Sequence, residues 1–202
     1  MAKSNKELVA ELAADGAIRS ADVRRAFLKT DRADFVPGNQ KKSAYANYPL
    51  PIGEEQTISQ PFTVAVMTEA LDIKEGHKVL EVGTGSGYQA AILSNIVGNS
   101  GLVVTTEFRK TLHESAAKKL LKYKNIIAVL ADGSKGYKEK APYDRIIVTA
   151  SGTKVPEPLL GQLKENGVMV IPIGNEMHRI EKAKGGLKKT FLGHFAFVPL
   201  KE

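Results

Sequence analysis

Between residues 79 and 93 the chain reads VLEVGTGSGYQAAIL, which sets Gly83, Gly85 and Gly87 between an apolar run and a helix-forming run. Glycines at such a junction let the backbone turn tightly and close up against a ligand. A dinucleotide fingerprint would place its third glycine at position 88, where Tyr88 stands, so the spacing disfavours NAD and admits another adenosine-containing ligand. Three carboxylates complete the pattern. Glu81 precedes the loop and can face an ammonium group. Glu107, 20 residues after Gly87, ends the next apolar run, where an acid accepts hydrogen bonds from ribose hydroxyls. Asp132, in LADGS, ends the following run and can reach an adenine edge. Each has a plain alternative as a tight turn, a helix cap or a surface acid. Their joint order at successive strand ends favours a ligand site.

A second stretch, QTISQPF at residues 56–62, places two hydroxyls and two amides before the apolar run TVAVMTEALDI. A serine ahead of a helix commonly caps it, and proline suits the first helical turn. Ser59 is therefore read from its surroundings as a cap for a helix beginning at Pro61.

The elements that must position these residues follow from periodicity and turn signals. SNKE at Ser4–Glu7 has capping-box spacing and opens a helix through about Ala14, and Ser20 caps a second through about Thr30. After an irregular stretch to Gly53, helix and strand alternate. A helix at Pro61–Leu71 precedes KVLEVG, YQAAILSNIV precedes LVVTTE, and RKTLHESAAKKLLKY precedes IIAVLAD; DRIIVTA, PEPLLGQL and VMVIPIG follow. Nearly continuous apolar strands need helices on both faces, which gives a doubly wound, mostly parallel α/β sheet. The Gly-Gly turn between HRIEKAK and KKTFLGHFAFVPL predicts an antiparallel hairpin at the sheet edge. The whole chain, 1–202, reads as one domain: residues 1–59 form an N-terminal helical, substrate-side section, and residues 60–202 form the α/β core.

Composition narrows the classes. A hydrophobic fraction of 43% and a charged fraction of 25% match globular proteins. The absence of cysteine excludes disulfides and thiol catalysis, the four histidines lack ligand spacing, and no metal site is expected. No apolar run reaches the length of a membrane span and the start is too charged for a secretory signal, so the expected location is the cytoplasm, without membrane partners. The net charge of +7 is spread over scattered lysines with no aromatic-interleaved stripe, and no nucleic-acid partner is expected.

The acid-Val-Gly-Thr-Gly-Ser-Gly loop, with Glu107 and Asp132 behind it, resembles the S-adenosyl-L-methionine site of Rossmann-like methyltransferases. AYANYPLPIGEEQTISQPF, VLEVGTGSGYQAAIL, YDRIIVTA, VPEPLLGQLKENGVMVIPIG and FVPL narrow it to a resemblance to the protein-L-isoaspartate O-methyltransferase family over nearly the whole chain. The resemblance implies methyl transfer to the α-carboxylate of L-isoaspartyl residues in damaged proteins, leading through a succinimide to normal aspartate. It makes Ser59 the active-site residue, with substrate contacts at Thr57, Ile58 and Gln60. It places cofactor contacts at Glu81, Gly83, Thr84, Gly85 and Ser86, and further ones at Gly87, Glu107, Asp132, Gly133 and Thr149. Isoaspartyl proteins and peptides are the implied partners of a monomer.

A carboxylate is already ionised at neutral pH, so this chemistry needs orientation more than a general base. Glu54 and Glu55 depart from the family pattern and would oppose an anionic substrate unless they point into solvent. Base-nitrogen methylation is disfavoured, because VTASGTK replaces the Asn/Asp-Pro-Pro-aromatic signature after the fourth strand. A non-catalytic adaptor is disfavoured by the intact glycine loop, Glu107 and the TIS motif.

Overall fold

The computed structural model describes residues 2–201, so Met1 and Glu202 of the expected 1–202 domain lie outside the described residues. Two helices come first, α1 (Asn5–Ala14) and α2 (Ala21–Lys29). Ser4 and Ser20 cap them as expected, accepting from the amides of Glu7 and Val23. The reciprocal half of the capping box is shifted by one residue, since the Glu7 carboxylate accepts from the amide of Lys3.

The stretch expected to be irregular holds two 3-10 turns, Arg32–Asp34 and Gly38–Ser43, and then a small antiparallel hairpin of β1 (Leu50–Gly53) and β2 (Gln56–Ile58). Helix α3 (Pro61–Ala70) leads into β3 (Lys78–Val82), α4 (Tyr88–Val97), β4 (Leu102–Glu107), α5 (Lys110–Leu120) and β5 (Ile126–Leu130). Then come β6 (Tyr143–Val148), α6 (Glu157–Gln162), β7 (Leu163–Ile173), β8 (Glu176–Ala183) and β9 (Gly186–His194).

The main sheet runs β5-β4-β3-β6-β7-β8-β9. It is parallel from β5 through β7, and the expected antiparallel hairpin β8–β9 closes the far edge. Side-chain alternation splits the core into two layers. Val79, Val103, Ile147 and Val170 face one cluster shared with α1, α2, α3 and α4. Leu80, Val104, Ile146 and Met169 face the other, with Leu159 of α6. The helices on both faces explain the unbroken apolar strands. The N-terminal helices share the first cluster with the sheet, so the section ahead of Pro61 is packed onto the core.

Tyr88, which breaks the dinucleotide spacing, is a core residue: its ring lies 6.2 Å from that of Phe27 and 5.5 Å from that of Phe35. The start of α4, and hence the end of the glycine loop, is thereby tied to the N-terminal section.

Candidate active site

Strands β3, β4 and β6 end together, and the loops after them form one wall of a cleft holding about 950 Å³, including the part open to solvent. Gly83, Gly85 and Gly87 all take positive φ (100°, 52° and 88°). At Gly83 any side chain is also blocked by contact, since a Cβ there would lie 2.4 Å from Thr149 Oγ1. The loop is held by its own protein partners. The amides of Gly83 and Thr84 donate to the Thr106 carbonyl at 2.9 and 3.0 Å, and Thr149 Oγ1 donates to the Gly83 carbonyl at 2.8 Å. The Thr84 and Thr105 hydroxyls pair at 2.6 Å, and Ser86 Oγ accepts from the Tyr88 amide. Thr84, Ser86 and Thr149 therefore line the cleft with hydroxyls already committed to building it.

Glu107 is nearly buried and accepts from the Gly85 amide at 2.8 Å and the Arg109 amide at 2.9 Å. It lines the cleft and braces the glycine loop across the β3–β4 junction. Glu81 is the contrast. It is fully buried, lines the cleft, and among the described residues neither of its oxygens has a hydrogen-bond partner. Burial pushes its carboxyl up to about 8, against the pull of the nearby Thr105 hydroxyl, which pairs with Thr84, and with the neighbouring Glu107 charge adding to the rise. An orphaned buried acid of this kind favours a cation arriving beside it.

Asp132 has protein partners of its own. Its Oδ1 accepts from the Ser134 amide and hydroxyl, and its Oδ2 pairs with Lys135 at 3.0 Å, so it caps the 3-10 turn Gly133–Lys135. The cleft lining includes Gly133 in its place, at a position where a Cβ would sit 2.5 Å from the Val82 side chain.

The other wall comes from the hairpin. Gln56, Thr57, Ile58 and Ser59 all line the cleft. Thr57 is exposed, while Ile58 is buried in the core and anchors the strand. Gln60 is turned away from the cleft: its amide donates to the Asn47 carbonyl at 3.0 Å. The cap assigned to Ser59 is supplied by another residue. Gln60 occupies the N-cap position of α3 without a side-chain cap bond, and the exposed amide of Phe62 donates to Asn47 Oδ1 at 3.0 Å. Among the described residues the Ser59 hydroxyl has no hydrogen-bond partner in the protein, and it is half-buried on the cleft wall. Glu54 and Glu55 form the exposed hairpin tip, outside the cleft lining. Glu54 meets Arg109 at 3.4 Å, which offsets its charge at the rim.

The cleft also takes in residues without an assigned role at the level of sequence. Phe108 and Arg109 follow Glu107 directly, and Val198–Lys201 enter through backbone bonds between Ser151 and both Val198 and Leu200. Among the described residues no cluster of potential metal ligands occurs, and no helix is long and apolar enough to cross a membrane.

The profile of the protein-L-isoaspartate(D-aspartate) O-methyltransferase family matches residues 3–202. A protein-L-isoaspartate O-methyltransferase of Ignicoccus hospitalis is 46% identical, with the match covering all of this chain and 99% of that one. One from Dictyoglomus turgidum is 48% identical, over 98% of this chain and 92% of its own. A solved protein-L-isoaspartate O-methyltransferase superposes with a TM-score of 0.90 at 32% identity, covering 98% of this chain and 66% of that longer one. A candidate enzyme of the same kind from Plasmodium falciparum, in complex with S-adenosyl-L-homocysteine, gives 0.88 at 27% identity over 99% of both chains.

Proposed function

From the premise that the chain belongs to the protein-L-isoaspartate(D-aspartate) O-methyltransferase family, we propose a division of labour in which the glycine-loop wall holds the cofactor and the hairpin wall holds the substrate carboxylate. The protein is a repair enzyme dependent on S-adenosyl-L-methionine, and its substrate is the α-carboxylate of L-isoaspartyl residues in damaged proteins. The observation that carries the residue assignment is the meeting of the glycine loop and the unpartnered Ser59 hydroxyl on one cleft.

The residues present fit the cofactor. Glu81 offers a buried, unpartnered carboxylate to an ammonium group, and Gly83 keeps the floor bare beside Thr149. Glu107 lines the cleft with a carboxylate able to accept from ribose hydroxyls while it braces Gly85. Gly85 and Gly133 lie on the cleft with Thr84, Ser86 and Thr149 as structural lining, while Gly87 stands behind it, where a Cβ would meet the Leu120 side chain at 3.3 Å. When bound, the cofactor supplies an electrophilic methyl group on a sulfonium sulfur.

Ser59 donates a hydrogen bond to the incoming carboxylate and orients one oxygen; Thr57 lies beside it on the same wall. No proton has to be removed from a carboxylate at neutral pH, so the protein's contribution is alignment and exclusion of water. The resulting methyl ester is a better leaving group than the free acid. The backbone nitrogen of the next residue attacks the ester carbonyl and expels methanol, and the succinimide then hydrolyses partly to normal aspartate. Residues 1–59 and 60–202 act as one unit, a reading supported by the core cluster they share. The enzyme works on isoaspartyl proteins and peptides as a cytoplasmic monomer without nucleic acid, a reading that rests on the sequence, whose 29 lysines and arginines are scattered with no aromatic-interleaved stripe.

The test uses labelled S-adenosyl-L-methionine and two peptides that differ only in L-isoaspartate against L-aspartate. Base-labile methyl ester should form on the isoaspartyl peptide alone. Equal labelling of both, or of neither with the cofactor bound, would overturn the reading.

A further inference from the structure

Arg32 is fully buried at the start of the first 3-10 turn, and every hydrogen bond it makes goes to a neutral backbone carbonyl. Its Nη1 donates to Ala44 at 2.7 Å, with Ala46 at 3.5 Å, and its Nη2 donates to Tyr48 at 3.2 Å and to Ser59 at 3.1 Å. Nε has no partner, and among the described residues no carboxylate lies within ion-pairing distance of the guanidinium. The adjacent Asp31 is occupied elsewhere, accepting from the Ala33 amide and the Tyr45 hydroxyl. Burial pushes the guanidinium down to about 10, which still leaves it cationic at neutral pH.

A buried charge without a counterion is costly, and carbonyl dipoles offset only part of that cost. Holding four carbonyls does not by itself require a cation. What the charge adds is a field, and the field is directed. The Ser59 carbonyl shares its peptide group with the Gln60 amide, so a guanidinium on that oxygen polarises the Gln60 N–H at the entry to α3, next to the Ser59 hydroxyl. The same contact fixes the backbone on which that hydroxyl is carried. The cleft wall at Ser59 is thus backed by an internal cation that lacks its anion.

We propose that Arg32 is the positioning residue for the substrate carboxylate: it clamps Ser59 through the main chain and supplies, from behind the cleft wall, the uncompensated positive charge that the carboxylate neutralises on binding. This rests on the assignment of Ser59 to the substrate carboxylate. It predicts that Arg32 governs discrimination of charge in the substrate as well as shape.

The experiment compares two ligands of the full chain in the presence of S-adenosyl-L-homocysteine: an isoaspartyl peptide, and the same peptide with its α-carboxyl replaced by a neutral carboxamide. Wild type should bind the carboxylate more tightly. Arg32→Gln, which keeps an amide to bond the carbonyls, should reduce the ratio of the two dissociation constants about tenfold or more, with the affinity for S-adenosyl-L-homocysteine unchanged. Arg32→Lys, which keeps the charge with fewer donors, should weaken both peptides while preserving most of the ratio. If both variants fold and weaken the two peptides by one common factor, Arg32 is only a structural clamp and the inference fails. Failure of wild type to discriminate at all would sink the Ser59 assignment itself, before any variant is compared.

Discussion

The two walls of the cleft are built by different means. On the glycine-loop wall, Glu81 apart, polar groups are paired between neighbouring strand ends: Thr106 with Gly83 and Thr84, Glu107 with Gly85, and Thr149 with Gly83. On the hairpin wall Thr57 is exposed, the tip residues Glu54 and Glu55 take positive φ, and the register shifts between Pro51 and Gly53. That wall is tied down by bonds from distant loops, namely Arg32 to Ser59, Asn47 to Phe62, Gln60 to Asn47 and Glu54 to Arg109. The first wall is held by bonds between adjacent strand ends of the sheet. The second is held by a handful of side chains, each carrying a larger share, which suits the role proposed for it of admitting a large and variable peptide.

The sharpest way to break the first wall is Glu107→Ala, because it removes the carboxylate proposed to accept from the cofactor and leaves the amides of Gly85 and Arg109 without their partner. Cofactor affinity should fall by about 1.5–3 kcal/mol, and the melting temperature should drop as well, since buried donors are left unmatched. Calorimetry with S-adenosyl-L-homocysteine and a thermal melt would check both. Unchanged affinity with lowered stability would make Glu107 a brace only.

On the second wall, Ser59→Ala should leave the fold and cofactor affinity intact, because Asn47 and not Ser59 caps α3. The loss should appear in kcat/KM for the isoaspartyl peptide, at about 1.5–3 kcal/mol for a hydrogen bond to a charged group, or roughly 10- to 150-fold. A matching loss of cofactor affinity would dissolve the distinction between the two walls.

Much of the first wall is legible in the sequence, and most of the second is not. Apolar strands, the glycine spacing and acids at strand ends are local patterns, and the parallel sheet makes them coincide in space. The cap of α3 is not legible in the sequence, because Asn47 reaches the Phe62 amide from 15 residues upstream, a separation at which no spacing rule operates. The β1–β2 hairpin carries no turn signal in the sequence, because Glu54 and Glu55 occupy the positive-φ tip, where Asn-Gly or Asp-Gly is the usual signal. Asp132 caps the 3-10 turn Gly133–Lys135, a role the sequence does not separate from a ligand contact, since a short acid before a glycine serves both purposes equally well. No spacing rule in the sequence marks Arg32, and its full burial is unusual because arginine is rarely buried without a paired acid.

A smaller effect, confined to the first wall, concerns Glu81. Its carboxyl is pushed up to about 8 in the folded chain, above the ordinary value of 4.5, so the ligand-free protein holds a proton there that the unfolded chain releases. The stabilising contribution of this group is complete below about 4.5 and is lost as pH rises through about 8. The unfolding free energy of the ligand-free enzyme should therefore decline over that window relative to Glu81→Gln, with a limiting slope of about 1.4 kcal/mol per pH unit, and the melting temperature should fall with it. Binding of a cationic group beside Glu81 requires that proton to leave, so cofactor affinity should rise with pH from 6 to about 7.5 in wild type and lose that slope in Glu81→Gln. Parallel pH profiles in the two proteins would mean that Glu81 does not meet the ammonium group.

The smallest effect should come from the contact that joins the two walls. Glu54 and Arg109 are both partly exposed, and an ion pair of this kind contributes about 0–1 kcal/mol and is weakened by salt. Glu54→Gln removes one negative charge at the rim and frees Arg109, which lines the cleft. Two consequences oppose each other: the hairpin loses a tether to the cofactor wall, and the approaching carboxylate loses a repulsion while gaining an unpaired cation. Electrostatics at an exposed rim acts mainly on encounter, so KM for the isoaspartyl peptide should fall by up to about threefold at low salt. The advantage should vanish near 0.5 M salt, where screening shortens the reach of the charges to about 4 Å. A rise in KM that is insensitive to salt would instead mark the pair as a clasp, in which case the substrate wall depends on the cofactor wall for its shape.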